Sequence, residues 1–182
     1  MRIPKEERKA FIPCPEGPTS AVCVDVVDKG WVESGFKDEK TGEAKRQHKM
    51  ELVWQTARRM DDGRPFIVSS TYNAVISSAT GKESNLYKLL MAWGIAPEKL
   101  LEGDEYNFDL LLGEPCLLNV AHKKGDKVTF VNVASIMPLP EGMPAMAPEG
   151  YVRRQDRDIP AESRAALDDE PIPYEDADDP GF

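Results

Sequence analysis

The chain has 182 residues, of which 41% are hydrophobic and 30% charged, a composition that suits one folded domain with some additional length. The N-terminal segment is charged without the apolar stretch of a secretory signal, and no apolar run is long enough for a transmembrane span, so we expect a cytoplasmic protein that does not bind membranes. Three cysteines and two histidines lack the spacing of a disulfide framework or a zinc site, so we expect no metal and no cofactor.

The net charge of −9 is concentrated near the C-terminus. Residues 165–182 contain seven acidic residues and no Lys or Arg, whereas all 23 basic residues lie in 1–164. The body of the chain is therefore nearly neutral, and such asymmetry indicates a tail with a function of its own. Because this tail has too few apolar residues to bury a core, we expect it to be disordered.

Three strands are predicted in the first half of the chain. After a Pro-rich arm over 1–18, residues 20–33 are β-branched and roughly alternating, and Gly30 within them indicates a bend or bulge. Residues 48–60 alternate polar with apolar, and an Asp-Asp-Gly turn separates them from a third strand over 65–77. One long polar loop and one tight hairpin therefore connect the three strands.

A helical insert and two further strands follow. Apolar residues at helical spacing predict a helix over 83–93 that ends at Gly94, and a second short helical stretch is predicted over 107–112. Residues 115–123 and 127–137 are predicted strands on either side of a Lys-Gly-Asp turn. Three strands, a helical insert and two strands follow one another in the order found in the OB-fold, a five-stranded barrel.

We therefore predict an all-β protein with a β-barrel of the OB type over 19–143. The arm over 1–18 precedes the barrel, and a flexible linker and the acidic C-terminal tail follow it over 144–182. An SH3-like barrel and a small α+β sandwich are alternatives, and the position of the helical insert disfavours the first. The sequence is compatible with a homo-oligomer.

The motifs of the common enzyme classes are missing from the sequence. No phosphate-binding loop, nucleophile elbow or zinc-protease motif is present, and the nearest string, residues 80–84, lacks the leading glycine. The densest acids lie in the tail and in the turn at Asp61 and Asp62, whereas metal-dependent nucleases need carboxylates on rigid strands. We therefore expect a binding protein and not an enzyme.

Basic and aromatic residues occur where an OB-fold binds single-stranded nucleic acid. Such sites need cations that follow the phosphates and flat side chains on which bases stack, and Trp31, beside the long polar loop, is the first candidate platform. For each cation the alternative is ordinary solvated surface, and for Tyr72 and Phe130 it is core packing. The residues predicted to contact DNA are Trp31, Phe36, Lys37, Lys40, Lys45, Arg46, Lys49, Arg58, Arg59, Arg64, Tyr72, Lys123, Lys124, Lys127 and Phe130.

The other two tryptophans are predicted to be buried. Trp54 shares a strand face with Met50 and Leu52. Trp93 lies on the apolar stripe of the predicted helix, where it would close one end of the barrel.

The tip of the tail is the most specific motif in the chain. It ends in Asp178, Asp179, Pro180, Gly181 and Phe182, and an acidic stretch followed by Ile-Pro-Tyr precedes it. This tip resembles that of bacterial and phage single-stranded DNA-binding proteins, which join an OB-fold to an acidic tail ending in Phe. Gly181 departs from the pattern, because the family places Pro directly before Phe. More loosely, residues 112–143, which include Leu-Gly-Glu-Pro-Cys at 112–116 and Met-Pro-Leu-Pro at 137–140, resemble OB-type proteins of phage replication modules.

The resemblance implies a protein that coats single-stranded DNA during phage or bacterial replication or recombination. Its tail would recruit replication and repair proteins, with the terminal Phe in an apolar pocket and the acids held by basic residues, and it would also compete with DNA for the basic groove. Alternatives are a generic solubilising tail, an enzyme of nucleotide metabolism, and a protein-binding module that inhibits a host replication or defence enzyme or mimics DNA. The residues assigned to partner binding are Asp176, Asp178, Asp179, Pro180 and Phe182.

Overall fold

The computed structural model of the protein describes residues 12–37, 41–125 and 129–157. None of the helices in these ranges has the length and apolarity needed to cross a membrane. The strands are Gly17–Lys37 (β1), Ala44–Arg59 (β2), Pro65–Asn73 (β3), Leu101–Glu102 (β4), Glu105–Tyr106 (β5), Pro115–Lys124 (β6) and Thr129–Met137 (β7). One α-helix, Asn85–Trp93 (α1), and three 3₁₀-helices, Pro97–Leu100, Phe108–Leu111 and Arg154–Asp156, complete the described secondary structure.

The five long strands form one antiparallel sheet in the order β3-β2-β1-β6-β7, and β4 and β5 form a separate hairpin. The central strand β1 pairs with β6 over Gly17–Val22 and with β2 from Ala21 onward. Irregularities in the register at Cys23/Asp25 and Asp28/Gly30 allow this long strand to bend. The predicted mostly-β class and the order of three strands, insert and two strands are confirmed.

A closed barrel is not observed. In the described ranges no hydrogen-bonded ladder joins β3 to β7, which remain the two edges of the sheet. The two edge strands nevertheless approach each other, and α1 packs against both of them. The sheet is therefore strongly curved around its core without pairing all the way round.

The inner face of the sheet packs against α1 and contains the main core. The side chains of Trp54 and Trp93 are buried there as predicted, with ring centroids 6.0 Å apart and planes tilted by 56°. The indole N–H of Trp93 donates to the carbonyl oxygen of Pro115 at 2.9 Å. Residues buried in this cluster include Ala21, Cys23, Met50, Leu52, Tyr72, Leu86, Leu89, Leu90, Cys116 and Leu118.

Helix α1 ends at Gly94, which lies close to the side chain of Pro138. Gly94 adopts a left-handed conformation with φ of 82°, and its N–H donates to the carbonyl oxygens of the last turn. A Cβ at this position would lie 2.9 Å from Cγ of Pro138. Only glycine therefore fits both the backbone conformation and the space between α1 and the segment after β7.

The outer face of β1 and β2 is covered by the chain that follows β7, which we call the strap (residues 146–157). Met146 and Tyr151 pack against a buried valine cluster, Val22, Val24 and Val53. The predicted domain boundary at residue 143 stays a prediction. Residues 146–154, which belong to the segment that we expected to be a flexible linker, make specific contacts with the sheet.

Buried polar groups hold the strap in place. The Asp25 carboxylate, on a residue only 1% exposed, accepts hydrogen bonds from the Tyr151 hydroxyl at 3.2 Å and the Arg154 backbone N–H at 2.8 Å. The Arg153 guanidinium also contacts Asp25, at 3.3 Å, and Arg154 makes two contacts of 2.8 and 3.1 Å with the Glu51 carboxylate. Burial raises the pKa of Tyr151 to about 12, and the Asp25 charge adds to the rise.

Candidate nucleic-acid interface

Trp31 is an exposed indole on a rigid strand. It lies in β1 immediately after the irregularity at Gly30, whose φ is +71°, and 62% of its surface is exposed. His48 of β2 lies directly opposite, and the two rings stack with centroids 5.3 Å apart and planes 17° apart. The bulge therefore orients the indole away from the core and onto the imidazole.

The ring beneath Trp31 is itself held in place. Nε2 of His48 lies 2.6 Å from Oδ1 of Asp28, and the same oxygen accepts the Gly30 N–H at 2.7 Å. The Gly30 N–H is the largest cause that lowers the Asp28 pKa, and the hydrogen bond and charge of His48 lower it further. An Arg46 guanidinium N–H donates to the Trp31 carbonyl oxygen at 3.3 Å. Side chains and backbone therefore fix this platform before any ligand binds.

A groove of about 580 Å³ runs beside the platform. Trp31, Arg46 and His48 form one wall, and polar residues between β3 and α1 form the other. Lys82 lines the groove from that second wall, and Lys45 is exposed on β2 next to Arg46. A flat ring, hydrogen-bonding groups and cations therefore meet at the end of the sheet where β1 ends and β2 begins.

A second groove of about 520 Å³ shares His48 and Ala74 with the first. Tyr106 and Phe108 line it, with ring centroids 6.2 Å apart and planes 27° apart. Sequence reasoning did not select Tyr106 or Phe108, and it noted His48 only as one of the basic residues near the long polar loop. The alternation of Tyr106 and Phe108 after the Gly103 turn was the available signal, but these residues lie in the insert and not on a predicted barrel strand.

Two predicted DNA contacts are wrong because the side chains are buried. Lys49 is 5% exposed, on the outer face of β2. Tyr72 is 5% exposed and belongs to the main core, opposite Met50. Neither side chain presents the surface that a phosphate or a base would need.

Three predicted arginines lie at the opposite end of the sheet from Trp31. Nine residues of β2 lie between His48 and Arg58, so ten steps along the strand, about 33 Å when extended, separate the two. Arg58 donates to the carbonyl oxygens of residues 15, 16 and 18 and so holds the described part of the N-terminal arm. Arg59 contacts Glu149 at 2.7 Å, and Arg64 contacts Asp62 at 2.6 Å. These cations bind neighbouring parts of the protein.

The remaining predicted residues are not brought to the platform. Lys123 and Lys124 are exposed and Phe130 is half-buried at the β6–β7 turn, near the start of β1. Lys123, Lys124 and Phe130 therefore lie at the end of the sheet away from Trp31. The structure describes the backbone of Phe36 and Lys37 but not their side chains. The remaining predicted residues lie outside the described ranges: Lys40, Lys127, and the tail residues Asp176, Asp178, Asp179, Pro180 and Phe182.

Comparison with known proteins gives no independent assignment. No protein-family model matches the chain, and no curated protein matches it significantly. Within the described ranges, no group of three or more His, Cys, Asp or Glu side chains is arranged to hold a metal ion. The candidate site therefore stands on its geometry: an exposed, stacked indole in a groove with cations.

Proposed function

We propose that the protein binds single-stranded DNA, and that the strand lies in the groove beside Trp31 during replication or recombination of phage or bacterial DNA. The observation that carries the proposal is the exposed indole, which a stacked imidazole and its carboxylate partner hold in one orientation. An exposed tryptophan fixed in this way is a stacking platform for a base of any identity. The proposal is therefore for binding that tolerates any sequence.

Charge near the platform supports the same proposal. Arg46 and Lys82 line the groove, and Lys45 is exposed beside them. Phosphates neutralised by such side chains release counterions, which makes affinity for single strands fall with salt. The nearly neutral body of the chain does not oppose the approach of a polyanion, because most of the net negative charge lies in residues 165–182.

The topology also supports an OB-type barrel. The long first strand pairs with the fourth long strand over its first six residues, Gly17–Val22, and with the second long strand from Ala21 onward. The helix comes between the third and fourth long strands and packs at the gap between the two edges of the sheet. These pairings match the OB layout, in which the strand faces and the connecting loops bind oligonucleotides.

Recruitment of replication or repair proteins by the acidic tail is the second half of the proposal. It rests on the resemblance of the tip that ends in Phe182. An aromatic anchor flanked by acids suits a partner with an apolar pocket and a basic rim.

Fluorescence anisotropy of a labelled oligo-dT tests the site in the full chain. We expect Trp31→Ala to weaken binding by about 5- to 100-fold, the loss that corresponds to one base–aromatic stack, and Trp31→Phe to retain most of the affinity. Met91→Ala is the matched control, because Met91 is also an exposed large apolar side chain but lies on α1 and lines neither groove. Equal affinity of Trp31→Ala and wild type would refute this site.

The arginines test which end of the sheet binds. We expect Arg46→Gln to lower the affinity and to reduce the slope of log K against log salt by about 0.7, as for one lost phosphate contact. Arg64→Gln is the control at the far end of the sheet and should leave both unchanged. Absence of any salt-sensitive binding by wild type would reject the function and favour the protein-binding module.

A further inference from the structure

The two grooves adjoin at the end of the sheet, because His48 and Ala74 line both of them. A strand of DNA in the groove beside Trp31 would therefore have the second groove next to it, on the other side of His48 and Ala74. The second groove contains the other stacked aromatic pair, Tyr106 and Phe108. Each of the two adjoining grooves therefore contains a flat side chain on which a base could stack.

Local structure fixes the second pair as it does the first. Tyr106 ends the short hairpin, and 41% of its surface is exposed. Phe108 packs against the main core, and the Asn107 side chain caps its 3₁₀-helix by accepting the Asp109 N–H at 3.0 Å. The Asn107 N–H donates to the Leu100 carbonyl oxygen at 2.7 Å. The exposed tyrosine ring thus rests on an anchored phenylalanine.

The charges of the second groove suit a base better than a phosphate. Asp28 is paired with His48 at 2.6 Å, and Asp109 is paired with Arg153 at 2.8 Å. Glu105 lines the same groove and adds a negative charge. Three carboxylates line this groove against one guanidinium, so it would repel a phosphate, whereas the uncharged face of a base would meet an aromatic ring.

We propose that Tyr106, supported by Phe108, is a second stacking site for the same DNA strand that Trp31 binds. This inference rests on the proposed function, because it requires a strand in the first groove. A base at Tyr106 contributes through stacking and not through counterion release. Removing the ring should therefore weaken binding of long strands only, with no change in the salt slope.

The test measures affinity of the full-length protein for oligo-dT of increasing length, from about two to about sixteen nucleotides. Tyr106→Leu removes the aromatic face but keeps an apolar side chain, and Tyr106→Phe keeps the ring. We expect Tyr106→Leu to bind the shortest oligonucleotides like wild type and the longer ones about 5- to 100-fold more weakly. Tyr106→Phe should match wild type at every length.

The outcomes separate the two proposals. Wild-type affinity of Tyr106→Leu at all lengths, while Trp31→Ala still weakens binding, would overturn the second site and leave the function standing. Equal weakening at every length would also overturn it, because the two rings would then not be separate subsites. No binding of oligo-dT by wild type would overturn both proposals.

A measurement on wild type guards against misfolding of the variant. A long oligonucleotide in which bromodeoxyuridine replaces every thymidine of oligo-dT should cross-link, on irradiation, to the peptide that contains Tyr106 as well as to the one that contains Trp31. An oligonucleotide too short to span both grooves should cross-link mainly at Trp31. Cross-links at Trp31 alone, with the longest strand, would contradict the second site.

Discussion

Replacing Asp25 with asparagine should loosen the strap from the outer face of the sheet. Its carboxylate accepts hydrogen bonds from Tyr151 and from the backbone of Arg154, and it contacts Arg153. Asparagine has nearly the same shape, so the packing of the valines beneath is kept. The amide removes the charge, however, and places an N–H₂ group where one of the two acceptor oxygens stood.

The size of the effect follows from burial. Breaking a fully buried ion pair costs about 3–5 kcal/mol, and a lost hydrogen bond to a charged group about 1.5–3 kcal/mol. The Asp25 side chain is almost fully buried, whereas the Arg153 side chain keeps access to water. If the strap detaches while the rest of the protein stays folded, its polar groups form hydrogen bonds with water, which limits the loss of stability. We therefore expect the free energy of unfolding to fall by about 3 kcal/mol.

Urea unfolding measures the loss, and limited trypsin digestion reports whether the strap is the part that opens. Cleavage after Arg153 and Arg154 should become faster, whereas cleavage after the exposed Arg157 should change little. Asp61→Asn, in the exposed β2–β3 turn, is the control and should alter stability by less than about 0.5 kcal/mol. An Asp25→Asn protein with wild-type stability and wild-type digestion would refute the role assigned to this carboxylate.

Two further predictions concern charge and pH. Deletion of residues 165–182 removes seven acidic residues and no basic one. Because the tail would no longer compete with DNA, the affinity for oligo-dT, measured by fluorescence anisotropy at low salt, should rise. A lower affinity of the truncated protein would contradict competition between the tail and DNA. Burial raises the pKa of Cys23 to about 12 and that of Cys116 well above its usual value. The unfolded chain loses these protons near pH 9 while the folded one retains them, so stability should fall as pH rises further, by about 1.4 kcal/mol per pH unit for each thiol. Urea unfolding at two alkaline pH values should give a shallower fall for Cys23→Ala, and equal slopes would contradict the burial argument.

Much of the architecture was predictable from alternation and turn residues. The strands over 115–124 and 129–137 differ from their predicted limits by at most two residues, because glycine, proline and charged turns mark their ends. The exposure of Trp31 and the burial of Trp54 and Trp93 also followed from their neighbours in the sequence.

The errors arose where one part of the chain covers another. Alternation puts Lys49 on the strand face opposite Met50, as the structure has it, but that face is buried and not solvated. Arg58 looks like any exposed cation in the sequence, yet it binds carbonyl groups of the arm some forty residues earlier. Alternation reports which side chains share a face, and it carries no information about what will cover that face.

The sequence by itself determined the β-rich class, the order of the elements, the acidic segment and the exposure of Trp31. Each depends on composition or on neighbours within a few residues, where period, turn chemistry and charge act directly. Only the tertiary structure decided that His48 lies under Trp31, that Tyr106 lines the adjoining groove, and that the strap contacts Asp25. Those contacts join residues far apart in the chain, and they depend on the register of β1 and on how the sheet curves, which local patterns do not specify.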